Sequence, residues 1–212
     1  MSIKKIYLIR HGQTDYNLQN IVQGSGVNSC LNQTGLDQAA CFFRKYEHKP
    51  FDKVYTSALQ RTIQSVQSFL DRGIPHEAHA TLNEICWGKK EGQKVRPEDD
   101  DEYTQLIRNW TSGNLEARIE GGENPGEVAA RMDTFIDLML SRPEEKTILI
   151  CMHGRAMRVL LCRLLHYPIQ HMDLFEHHNL CLYRIDYTGS MFTIKQHMSI
   201  DHLNLMNELV DK

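Results

Sequence analysis

The sequence predicts an α/β three-layer sandwich: a mostly parallel central sheet, helices on both faces, and a helical insertion over the sheet's carboxyl edge. Three observations carry this. Ile6 to Ile9 and Thr147 to Met152 are apolar runs of strand length without polar alternation, as in strands buried on both faces of a parallel sheet. Each run stops abruptly at a His-Gly pair, His11-Gly12 and His153-Gly154. Between them, segments with helical spacing alternate with short apolar runs, the order expected of helices covering a sheet. In open α/β sheets the carboxyl ends of the strands border the ligand crevice, so Arg10, His11 and His153 fall where a site is expected. If the two strands are neighbours, the imidazoles converge. Gly12 is expected to let the backbone turn and approach a ligand closely.

After the first strand, Thr14 to Cys30 is polar and glycine-containing, as a site-lining loop should be. Thr34 with Asp37 resembles a capping box opening a helix through Ala39, Ala40, Phe43 and Tyr46, limited by Pro50. Phe51 to Thr56 reads as a second strand. Ser57 to Leu70 carries Leu59, Ile63, Val66, Phe69 and Leu70 at helical spacing, which sets Arg61 near a helix N-terminus, where anions are favoured. A short strand ending near Leu82 is expected in Ile74 to Ile85. Residues 91–121 turn polar and charged, with an acidic run from Glu98 to Glu102. This segment reads as an insertion with one helix from about Glu98 to Trp110, the acids forming its first turn and a solvated face rather than a metal site.

Asn124, Pro125 and Glu127 form a compact helix start, and Val128, Met132, Phe135, Ile136, Met139 and Leu140 then line one core-facing stripe. Behind the second His-Gly exit, Ala156 to Leu165 reads as a helix. Strands near Leu180 to Asp186 and Phe192 to His197, joined at Thr188 and Gly189, are expected to add an antiparallel edge. The length suits one domain over residues 1–212, with 91–121 as a cap insertion.

A hydrophobic share of 41% and a charged share of 24% are those of an ordinary soluble globular protein. A formal net charge of -3 gives no case for nucleic-acid binding, and no apolar stretch is long enough to span a membrane. Lys4 and Lys5 interrupt the first apolar residues, so these do not read as a signal peptide. Cys30, Cys41, Cys86, Cys151, Cys162 and Cys181 are scattered without CxxC spacing, which points to reduced thiols and a cytoplasmic location. His177 and His178 are adjacent and point in different directions on a helix or a strand, and no HExxH or CxxC partner accompanies them. No strand-glycine-helix arrangement surrounds Gly24 and Gly26. Neither a metal nor an organic cofactor is therefore expected. A homodimer through a sheet edge is compatible with the sequence, with no residue-level case for it.

RHGQTDYN at Arg10 to Asn17, the pair Gln23-Gly24, LNQTGLDQA from Leu31, SALQRT from Ser57, LNEICWGKKEG from Leu82, GGE at Gly121 to Glu123 and MHG at Met152 to Gly154 form an ordered set spanning most of the chain. This set resembles the histidine phosphatase superfamily, which contains cofactor-dependent phosphoglycerate mutases and many small-substrate phosphatases. The resemblance implies a phosphate pocket of Arg10, His11, Arg61 and His153, an acid at Glu84, and phosphate or substrate contacts at Asn17, Gln23 and Gly24. For Asn17 and Gln23 a structural loop hydrogen bond is the competing reading.

The chemistry fits these residue types. Phosphoryl transfer needs positive charge around the equatorial oxygens, an in-line nucleophile and a proton for the leaving oxygen. A neutral His11 can attack phosphorus and form a phosphohistidine; Arg10 and Arg61 bring forked donors, and His153 a further one. A carboxyl at Glu84 among apolar Leu82, Ile85 and Trp87 is expected to hold a proton for the leaving alkoxide. The expected activity is hydrolysis of a small phosphomonoester. A phosphoglycerate mutase is the near alternative, disfavoured because 91–121 is short and acidic where the family's mutases carry a longer basic insertion; Arg96, Arg108 and Arg118 are its candidate cations. A noncatalytic phospholigand-binding protein is the alternative of another class, and it would not need Glu84. Asn124 where Ser is usual, and Arg155 where a small residue is common, depart from the family pattern. Arg155 either adds charge to the site or faces solvent.

Overall fold

A computed structural model describes residues 3–94 and 100–206. The strand β1 (Lys4–Arg10) lies inside a six-stranded sheet, paired in parallel with β4 (Thr147–Met152), with Arg10 opposite Met152. β2 (Lys53–Ser57) pairs in parallel with β4, and β3 (His76–His79) in parallel with β2. On the other side, β5 (Leu182–Tyr187) runs antiparallel to β1, and β6 (Phe192–Ser199) antiparallel to β5. The order is β3-β2-β4-β1-β5-β6, a mostly parallel sheet ending in a hairpin, as the sequence predicts.

Continuous apolar runs arise because successive side chains of one strand feed two cores. Tyr7, Ile9, Val54, Leu149 and Cys151 face one side, closed by Phe42 and Tyr46 of α2 (Gln33–Tyr46) and by Val66 and Phe69 of α3 (Gln60–Leu70). Ile6, Leu8, Tyr55, Ile148, Ile150 and Met152 face the other, closed by α5 (Pro125–Leu140) and α6 (Gly154–Leu164). Each fully buried Leu, Ile, Val or Phe contributes roughly 1.5–3 kcal/mol. The short helix α1 (Asp15–Leu18) stands in the loop after β1, and α4 (Asp101–Thr111) begins at the cap residue Asp100. Trp110 of α4 packs near Trp87, ring centroids 5.9 Å apart, and so joins this second core.

Several boundaries differ from expectation. The cap of α2 is Asn32, whose side chain accepts from Gly35 N at 2.9 Å, and not Thr34. The reason is tertiary: Gly35 approaches the loop after β1 so closely that a Cβ on it would lie 2.1 Å from the Gln13 carbonyl oxygen. A Cβ on Gly12 would lie 2.6 Å from the Gly35 carbonyl oxygen, so Gly12 serves a contact between two backbones, not an approach to a ligand. β3 stops at His79, and a 3-10 turn over Ala80–Leu82 sends Leu82 into the core. α4 begins at Asp101; Glu98 and Asp99 of the acidic run lie outside the described residues. The capping box of α5 at Asn124 and Glu127 forms as the sequence predicts. Among the described residues no helix is long and apolar enough to cross a membrane.

Candidate active site

The register of β1 against β4 delivers the two His-Gly exits side by side. His11 N donates to the Met152 carbonyl at 2.9 Å, and the His11 and His153 rings lie 5.2 Å apart. His11 forms part of the lining of a cleft of about 490 Å³, together with Arg10, Asn17, Gln23, Glu84 and residues of α1 and α4. Its Nδ1 is 2.7 Å from the Gly12 carbonyl oxygen and donates to it, which leaves Nε2 with its lone pair and without a partner among the described residues. Burial, with the Arg10 and Arg61 guanidiniums, pushes the His11 pKa well below its ordinary value, so the ring is neutral.

Arg61 and His153 are fully buried behind His11 and are absent from the cleft lining. Arg61 Nε donates to His153 Nδ1 at 3.2 Å, and its terminal nitrogens donate to the Val27 and Gly24 carbonyls at 2.6 and 3.3 Å. With Nδ1 accepting, His153 Nε2 donates to Ser57 Oγ at 2.7 Å. Burial and then Arg61 hold the His153 pKa well down. Burial lowers Arg61 to about 10, still protonated at neutral pH. The resemblance implies a substrate contact at Gly24. Gly24 is buried away from the cleft lining, and its carbonyl orients Arg61.

Arg10 does reach the cleft. Its Nε is buried with no partner among the described residues, a donor available to an anion. One terminal nitrogen lies 3.2 Å from His177 Nδ1. Burial and the cations Arg10, Arg158 and Arg155 push His177 down to about 2, so this ring is neutral and accepts from Arg10. A Cβ on Gly154 would lie 2.6 Å from His177 Nε2; glycine at the start of α6 therefore admits the imidazole that steadies Arg10.

Glu84 lines the cleft, but its surroundings are not the apolar sleeve the sequence suggested. One carboxylate oxygen accepts from Ala156 N at 2.8 Å and Ile85 N at 2.9 Å, the other from Arg155 N at 3.0 Å. It thus sits on the N-terminus of α6, whose main-chain N–H groups orient the carboxyl group. Its peptide is held in turn: Arg131 donates to the Glu84, Asn83 and Thr81 carbonyls and makes a two-pronged pair with Glu123 of the GGE motif.

Asn17 and Gln23 line the cleft while also doing the loop work anticipated for them. Asn17 completes a capping box with Thr14, and its Oδ1 also accepts from Asn179 Nδ2 at 3.3 Å. That engages the oxygen and turns the amide nitrogen free. Gln23 Oε1 accepts from Thr14 and Ser29 hydroxyls at 3.0 and 2.5 Å. Sequence reasoning missed His177, Asn179, Trp87 and Tyr103. Asn179 Nδ2 donates to the His11 carbonyl at 3.0 Å, and the only signal for it was its place just before the last hairpin. Arg155 neither faces solvent nor enters the cleft. It is buried between Asp173, Tyr103 and the rings of Trp87 and Trp110. Among the described residues no group of three or more His, Cys, Asp or Glu is arranged to hold a metal.

Two strand-end histidines, the guanidiniums of Arg10 and Arg61 and a carboxylate on a helix start are thus gathered at the carboxyl edge of the sheet. The sequence profile of the histidine phosphatase superfamily (branch 1) matches residues 6–199, and the chain belongs to that family. It is 30% identical over 190 residues to a Yersinia pestis protein named probable phosphoglycerate mutase GpmB, covering 88% of this chain and 86% of the relative. Its fold resembles the crystal structure of an alpha-ribazole phosphatase from Shigella flexneri, with a TM-score of 0.82 and 27% identity over 92% of this chain and 96% of that one. It also resembles Bacillus stearothermophilus YhfR, with a TM-score of 0.81 and 25% identity over 94% and 99% of the two chains.

Proposed function

We propose that this protein is a phosphomonoester hydrolase that acts on a small phosphorylated metabolite through a phosphohistidine at His11. The observation that carries this reading is the neutral His11 ring, whose Nε2 has no partner among the described residues, lining one cleft together with Arg10 and Glu84. Nε2 attacks phosphorus, the N–P bond forms and the ester P–O bond breaks. Glu84 protonates the departing oxygen, then takes a proton from the water whose oxygen displaces His11 and releases phosphate. Arg10, with Asn17 beside it, binds the equatorial oxygens, while Arg61 and His153 supply charge and rigidity from behind. None of these steps calls on a metal or organic cofactor.

A mutase reading has the similarity to the GpmB relative in its favour. The described cations weigh against it. Lys90 lines the cleft but is paired with Asp100 at 2.8 Å and Glu102 at 3.1 Å. Arg118 pairs with Glu127, and Arg108 is exposed and outside the cleft lining; Arg96 lies outside the described residues. A purely ligand-binding role leaves unexplained why Glu84, in the same cleft as His11, is held on the α6 N-terminus.

The test is phosphate release from p-nitrophenyl phosphate in EDTA by the wild type and by His11→Ala. Release that disappears in the mutant, with a phosphorylated peptide containing His11 trapped in the wild type, supports the reading. Interconversion of phosphoglycerate isomers without net phosphate release would replace it with the mutase.

A further inference from the structure

Resting on the phosphomonoesterase reading above, we infer that Tyr103, held by Arg155, selects the alcohol, and that the substrates are phosphate esters of hydroxyl-rich alcohols such as sugars and polyols. Beyond His11 the cleft is walled by Tyr16, Asn20, Trp87, Lys90, Asp100 and Tyr103. The Tyr103 hydroxyl oxygen accepts from Arg155 Nη2 at 3.1 Å. Its own hydrogen has no acceptor among the described residues, so Tyr103 is a donor left over for a ligand. Three residues earlier, the Asp100 carboxylate lines the same wall: Oδ1 caps α4 by accepting from Tyr103 N at 3.1 Å, Oδ2 accepts from Lys90 Nζ at 2.8 Å, and each oxygen keeps a further lone pair for a ligand hydroxyl. A hydroxyl group is both acceptor and donor and matches this pair. A second anionic group on the alcohol meets Asp100 and gains no free described cation.

Trp87 backs this wall, its ring 5.6 Å from that of Tyr103. Arg155 fixes this wall relative to the reaction centre. It is 8% exposed, is ion-paired to Asp173, and lies 6.0 and 5.6 Å from the Trp87 and Trp110 ring centres. Its backbone N–H is one of the three that hold Glu84. One residue therefore sets the spacing between the acid and the alcohol donor, which makes Arg155 a positioning residue for leaving-group choice.

The experiment compares ribose 5-phosphate with n-pentyl phosphate, both esters of primary alcohols, using the wild type, Tyr103→Phe and Arg155→Lys, with p-nitrophenyl phosphate as control. The wild type is expected to favour ribose 5-phosphate. Tyr103→Phe should lower kcat/KM for it by about tenfold, mainly through KM, the size of one neutral hydrogen bond, and leave pentyl and p-nitrophenyl phosphate nearly unchanged. Arg155→Lys should lower kcat/KM for ribose 5-phosphate at least as far, because an ammonium cannot bridge Asp173 and Tyr103 as the guanidinium fork does, and since Arg155 also places Glu84 it should slow pentyl phosphate to a smaller extent. Equal rates for the two alkyl esters, or equal slowing of all three substrates in Tyr103→Phe, would overturn the inference while the hydrolase reading stands. Failure of the wild type on all three esters, p-nitrophenyl phosphate included, would bring down both.

Discussion

The two ends of the cleft are built differently. At the phosphate end, His11 and His153 stand on strand exits fixed by the β1–β4 register, and Arg61 on the first turn of α3; all three are buried and mutually tied or backed by main-chain groups. At the alcohol end, Tyr16 and Asn20 come from the loop around α1, and Lys90, Asp100 and Tyr103 from a connecting segment and α4. There the ties are side-chain pairs such as Lys90–Asp100 and Arg155–Tyr103. On the proposed reading, reaction type belongs to the sheet, which tolerates little change, and choice of alcohol to the loops and α4, whose contacts can be replaced without disturbing the sheet.

Breaking the phosphate end should have the largest effect. His11→Ala is expected to lower kcat by roughly a thousandfold or more on every ester, because it removes the nitrogen that forms the N–P bond. Glu84→Gln comes next: a loss of roughly 10²–10⁴-fold for alkyl phosphates and far less for p-nitrophenyl phosphate, whose leaving oxygen needs little proton assistance. A leaving-group series on the mutant checks this, and equal slowing across the series would remove Glu84 from the acid role. His177→Ala should weaken phosphate itself, raising KM and the inhibition constant of inorganic vanadate by about tenfold for every ester alike, since it loosens Arg10. A change confined to one alcohol would move His177 to the other end of the cleft.

The smallest effect concerns stability alone. His202 is buried against Phe42 and Tyr46, ring centroids 5.1 and 6.0 Å away, and burial pushes its pKa down to about 4. The unfolded chain takes up this proton near pH 6.5 and the folded chain only near 4, so the unfolded state binds more protons between them. Stability should fall as pH drops through that window, by at most about 1.4 kcal/mol per unit for this group. His11, His153 and His177, also lowered by burial first, act with the same sign. Thermal melts from pH 7.5 to 4 should be less steep for His202→Leu than for the wild type; parallel curves would count against this assignment. The alcohol end, which lacks such a buried histidine among its described residues, should lose specificity in its mutants without this pH signature.

Much of the site was legible from local pattern. His11, Arg10 and His153 stand where apolar runs end, and a run that ends in polar groups at a sheet edge carries its own signal. Glu84 was found by motif, but not its environment: the three N–H groups that hold it come from Ile85 and from the start of a helix seventy residues on. His177 and Asn179 went unread because their meaning depends on β5 pairing antiparallel to β1, which brings the residues before the hairpin against the end of the first strand. Gly12 lies against the Gly35 backbone and the Gly24 carbonyl accepts from Arg61, contacts that went unread because a glycine's partner is not encoded in its neighbours along the chain.

Periodicity, strand ends and caps are properties of nearest and next-nearest residues. They account for the layered fold, the parallel core of the sheet and the placing of His11 and His153 at strand exits. Folding decided what long-range contacts alone can decide: that Arg61 and His153 lie behind His11, that Glu84 rides on a helix start, and that Arg155 is buried against Asp173 and Tyr103. The first group rests on short-range sterics and hydrophobic burial, and the second on which side chains the sheet order brings within hydrogen-bonding reach.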